Sequence, residues 1–110
     1  RHFGNFGFLI DNKSNKIVGC APIFDNGLSL LCYAMDDDFK NINQYIQTRL
    51  PATYQDFITF VKPRITKRQK EKLRKLIGFK FESHYTYRLP RKRLKYLEEI
   101  IQKRVLELLE

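Results

Sequence analysis

The sequence predicts an α+β fold, mainly α, in which an N-terminal β-hairpin is followed by four helices. Two β-prone runs, Phe6–Ile10 and Lys16–Phe24, flank a short polar break, which is the pattern of a hairpin. Beyond residue 40 the apolar residues recur at three- and four-residue steps, the period of a helix with one buried face. Start and stop signals punctuate that half: Thr66 with Gln69 in capping-box spacing, Gly78 at a helix exit, and Pro90 at a helix entry.

The hairpin loop is Asp11-Asn12-Lys13-Ser14-Asn15, whose short polar side chains bond their own backbone and favour turns. Pro22 lacks a donor for a sheet ladder and marks the exit of the second strand. Asp25-Asn26-Gly27 is a turn signal, and the apolar run 28–33 leads to an acidic loop, Asp36-Asp37-Asp38. A short helix over 41–50 is stopped by Pro51. Thr53 is placed to cap a second helix through Val61, with Tyr54, Phe57, Ile58 and Val61 on one face. Thr66 opens a third helix to Ile77, and Phe79–Leu89 is aromatic and irregular. From Pro90 a long terminal helix reaches Leu109, with Leu94, Leu97, Ile101, Val105 and Leu108 as its apolar face. An isolated hairpin is marginal in water, so this one is expected to pack on the helices or on a segment outside the chain.

With 110 residues, 43% of them apolar, the expectation is a single domain over 1–110 with a real core. No run approaches the ~18 apolar residues of a membrane span, and residues 1–7 lack the apolar stretch of a signal peptide. Cys20 and Cys32 show no metal-ligand spacing and are read as buried, reduced thiols, which with the missing signal run gives a cytoplasmic expectation, with secretion of the intact protein as its alternative. Charge is segregated. Residues 1–61 carry five Lys/Arg against six Asp/Glu, a net of −1, whereas 62–110 carry sixteen against six, a net of +10.

Two segments set polar residues among apolar ones: 1–7, with His2 and Asn5, and 22–27, with Asp25. They lie at the two open ends of the hairpin, so the fold brings Asn5 and Asp25 close together. An amide and a carboxylate are both oxygen ligands and suit a Mg²⁺ that keeps other positions for water and phosphate. Each residue also has a purely local reading, Asn5 as a turn cap and Asp25 as the opening of the Asp-Asn-Gly turn.

Arg1-His2-Phe3-Gly4-Asn5, the hairpin and Phe24-Asp25-Asn26-Gly27 together resemble the catalytic elements of HipA-like serine/threonine protein kinases. That family has a D-R-H-x-x-N loop, a short hairpin and an Asp-Phe-Gly-like element. The resemblance implies a kinase C-lobe-like helical domain, with ATP and Mg²⁺ as cofactors and Asn5 and Asp25 as metal ligands. His2 would face the transferred phosphate. The catalytic Asp of the pattern would precede Arg1, and the N-terminal lobe with its phosphate-covering loop and Lys is also missing. The fragment by itself is therefore expected to be inactive, because phosphoryl transfer depends on base, clamp and metal acting together. The implied partners are a protein substrate, the missing lobe and a DNA-binding antitoxin, and the apolar hairpin side adds the expectation of a homodimer.

Two other readings stand beside this one. The shared Asp-Arg-His loop also fits a phosphoinositide-kinase-like lipid kinase. The basic C-terminal half, with nine Lys/Arg and one acid over 62–80 and a further cluster at 88–95, fits a nucleic-acid-binding module. A solvated surface is the plain reading of those cations. His84 with Phe79, Phe81, Tyr85 and Tyr87 reads as an aromatic cluster packed against the helices, with base stacking as its alternative. Asp36-Asp37-Asp38 reads as a solvated loop, since consecutive carboxylates point apart and rarely chelate one ion.

Overall fold

A computed structural model of the chain describes residues 5–26, 29–49 and 56–110. The fold is α+β and mainly α, as the sequence predicts, with one two-stranded antiparallel sheet and four α-helices among the described residues. The chain forms two compact units, Arg1–Gln55 and Asp56–Glu110.

In the first unit, β1 (Phe8–Ile10) pairs with β2 (Ile17–Cys20) in the register Phe8↔Cys20, Leu9↔Gly19 and Ile10↔Ile17. The shift between Leu9 and Ile10 is a bulge that leaves Val18 without an opposing residue. Asp11 organises the loop as its composition predicts: Oδ1 accepts from the backbone N–H groups of Lys13 and Ser14 and from Ser14 Oγ. Asn15 takes the left-handed conformation, φ 53°, which Asn adopts more readily than most residues. The ladder runs one step past β1, Ala21 N–H donating to Gly7 C=O at 2.9 Å, and ends before Pro22. At Gly7 an added Cβ would lie 3.3 Å from Ala21 Cβ, so glycine allows the strands to close there.

Both faces of the hairpin stay open, with Phe8, Ile10, Ile17 and Val18 all exposed. The free thiols Cys20 and Cys32 are also exposed, which corrects the expectation of burial. Cys20 ends a two-stranded ribbon, which among the described residues has no third strand beside it. Further on, a 3-10 turn (Asp38–Asn41) leads into α1 (Ile42–Gln47) and buries Phe39, while Ala34 is buried ahead of it. Two residues of the acidic triplet serve this turn. Asp38 accepts from Met35 N–H at 2.7 Å and Asp37 pairs with Lys40.

The second unit is built on α4 (Arg91–Leu109), which packs with α2 (Phe57–Val61) and α3 (Lys67–Arg74). Asp56 caps α2, its carboxylate accepting from Thr59 N–H at 2.6 Å. That places the cap nearer the helix than the Thr53 of the sequence reading; Thr53 and Tyr54 fall outside the described residues. Thr66 and Gln69 close a full capping box on α3. The α-helix ends at Arg74, three residues short of Ile77, and a turn carries the chain to Gly78, whose φ of 76° suits glycine. Leu97, Val105 and Leu108 of α4 are buried as their spacing predicts, with Leu94 and Ile101 half-buried.

Two polar side chains of α4 fasten the irregular connector. Gln102 donates to Leu76 C=O at 2.7 Å and accepts from Gly78 N–H at 2.8 Å. Glu98 is buried and accepts from Lys80 Nζ at 2.9 Å and from Phe81 N–H at 3.0 Å. Its pKa is lowered, chiefly by the Lys80 hydrogen bond and then by the Phe81 N–H, against an opposing desolvation. A carboxylate held below its unfolded pKa stabilises the fold above that unfolded value and ceases to as pH falls through the folded one. The helical unit should therefore lose melting temperature on acidification from about pH 5 to pH 3. Glu98→Gln should flatten that acid limb while lowering the neutral-pH melting point. Thermal melts of both proteins across this range check it; parallel curves would contradict it.

Candidate functional site

The hairpin positions the site. Past the Phe8↔Cys20 pair the ladder adds one more bond, Ala21 N–H to Gly7 C=O, and Asn5 and Asp25 lie on the two segments just beyond it. At Asp25 the backbone turns left-handed, φ 55°. This conformation costs most L-residues of order 1–2 kcal/mol, less for Asp, and a residue held in it has a structural reason for being there. Its carboxylate Oδ2 accepts from Asn5 Nδ2 at 2.7 Å. The contact joins residues twenty apart in sequence.

Asn5 is buried, 7% exposed, whereas Asp25 is exposed. The pair thus has a fixed amide on the protein side and a carboxylate open to solvent. Because the carboxylate only accepts, the Asn5 amide must turn its nitrogen toward Asp25. Just beyond, Ser29 N–H and Ser29 Oγ both bond Asn26 C=O, at 3.0 and 2.7 Å, shaping the exit of the Asp25 turn. The sequence reading and the structure agree that Asn5 and Asp25 come together. His2 lies outside the described residues.

The donor set is hard oxygen: one carboxylate and one amide carbonyl. Among the described residues no group of three or more His, Cys, Asp and Glu gathers as a metal cage. Mg²⁺ is ordinarily held through one or two carboxylates with substrate phosphates and water completing the octahedron, so the Asp25 carboxylate with the Asn5 amide oxygen beside it could serve.

In the second unit His84, Tyr85 and Tyr87 form a cluster of their own. The imidazole stacks with Tyr85, centroids 4.7 Å apart, and with Tyr87 at 5.4 Å. All three residues are exposed, which corrects the reading of a cluster packed against the helices. Phe79 and Phe81, both half-buried, are the pair turned to the core side and meet edge-on at 4.9 Å. Among the described residues no helix is long and apolar enough to cross a membrane.

What fold and site define together is an α+β chain with a hairpin-supported Asn–Asp pair. Comparison with protein-family models, with curated proteins and with solved structures finds no match to the chain.

Proposed function

We propose that this chain is the C-terminal portion of a HipA-like, Mg²⁺- and ATP-dependent serine/threonine protein kinase. The observation that carries the reading is the 2.7 Å contact between Asn5 and Asp25 at the open end of one hairpin. Asn5 would hold one side of the metal through its amide oxygen, and Asp25 the other through its carboxylate. Bound there, Mg²⁺ supplies the charge that neutralises the nucleotide phosphates. The Asn5–Asp25 hydrogen bond keeps the two side chains together before substrate arrives, and positioning of this kind is what phosphoryl transfer depends on. His2, three residues ahead of Asn5, would face the phosphoryl group. The catalytic Asp and the N-terminal lobe would come from chain ahead of Arg1, and the open apolar faces of the hairpin support an apolar partner surface in the intact enzyme.

The product of the complete reading frame, incubated with radiolabelled ATP and Mg²⁺, should label itself or a protein hydroxyl, and chelation of the metal should stop it. Label appearing only on phosphoinositide vesicles would move the substrate to lipid. No transfer to either class would contradict the kinase reading.

A further inference from the structure

We propose that the loop 84–87 and the basic residues following it bind single-stranded nucleic acid, with Tyr85 and Tyr87 as base-stacking platforms. This surface belongs to the helical unit and is independent of the kinase reading.

Tyr85 and Tyr87 are 83% and 82% exposed. Aromatic rings dominate core energetics when they are buried, so two adjacent rings held in solvent contribute little of that stabilisation. They are nonetheless ordered. His84 Nδ1 accepts from Thr86 N–H at 3.0 Å and from Tyr87 N–H at 2.9 Å, which ties the loop back on itself. Both tyrosine rings then stack on this anchored imidazole, at interplanar angles of 21° and 30°. The result is a pre-formed aromatic surface that gives up little conformational entropy when a flat ligand lies on it.

Charge identifies the class of ligand. Arg88 follows Tyr87 directly, and Arg91 and Lys92 open α4, all three exposed. The half of the chain that carries them has a net charge of +10, from sixteen Lys/Arg less six Asp/Glu. Exposed stacking rings beside cations match the two faces of a single strand, its bases and its phosphates. A duplex hides its base faces and would engage the cations alone. An acidic peptide would use the cations and leave the rings idle.

The test uses the 110-residue chain and fluorescein-labelled oligo-dT and oligo-U, with a duplex of equal length, in anisotropy titrations at several salt concentrations. Single strands of both sugar types should bind more tightly than the duplex. Tyr85→Ala with Tyr87→Ala should weaken single-strand binding by about tenfold or more, the range expected for losing base stacking, and leave the salt slope unchanged. Replacing both tyrosines by Phe should restore binding, because the ring and not the hydroxyl makes the stack. Arg91→Gln with Lys92→Gln should instead reduce the salt slope by about one to two. Circular dichroism of the Ala pair should match wild type, since neither ring is in the core. Unchanged affinity in the Ala pair, or equal affinity for duplex and single strand, would overturn the proposal.

Discussion

Under the proposed kinase reading, replacing Asp25 by Asn in the intact protein is expected to lower phosphoryl transfer by about a hundredfold or more, the scale seen when one stabiliser of developing charge is removed. The substitution isolates charge from structure. An Asn at 25 keeps an oxygen that can still accept from Asn5 Nδ2, so the contact closing the hairpin end can persist. It also tolerates the left-handed backbone, φ 55°, about as well as Asp does. What disappears is the negative charge that would hold Mg²⁺ against the phosphates. Steady-state transfer rates with saturating Mg²⁺ read the effect, and circular dichroism checks that folding is intact. Asp25→Ala loses the acceptor as well and should be no more active. Transfer at the wild-type rate in Asp25→Asn would remove Asp25 from the metal site.

The largest stability effect is expected at Leu97. Its side chain is 4% exposed on α4, the helix on which both α2 and α3 pack. Truncation to Ala removes three buried carbons and leaves a cavity, a loss of about 2–4 kcal/mol. A unit of this size has a small core and only a few kcal/mol to lose, so Leu97→Ala should leave the helical half largely unfolded at room temperature. Leu106, half exposed on the same helix, is the internal control. Leu106→Ala should change stability by less than about 0.5 kcal/mol. Urea titrations followed by helical circular dichroism compare the two. Similar midpoints would mean that α4 does not carry the core of its unit.

Much of this architecture is legible in the sequence because its signals are local. Thr66 and Gln69 close their capping box within four residues, and the α4 period needs only the helix to express it. The Asn5–Asp25 approach is long-range, yet it follows from topology, since a hairpin returns the chain to where it began. Other features depend on what covers what. Cys20 sits in an apolar run that reads as buried, but a two-stranded sheet buries neither face unless something packs on it. Phe79 and Tyr85 look alike in composition, and only the path of the connector turns one inward and the other out. Glu98 and Gln102 carry little sequence signal, because their partners, the Lys80 ammonium and backbone groups of the connector, sit in a segment that no pattern marks. A Glu on the apolar side of a helix, one residue after a core Leu, is the faint cue that could have singled out Glu98.

Mn²⁺, substituting for Mg²⁺, allows the metal role proposed for Asn5 and Asp25 to be tested by electron paramagnetic resonance in the intact protein with ATP. The wild type should bind the ion in an ATP-dependent manner, and Asn5→Ala and Asp25→Asn should each weaken that binding by about tenfold or more. Identical Mn²⁺ isotherms for all three proteins would contradict a metal held between the two ends of the hairpin.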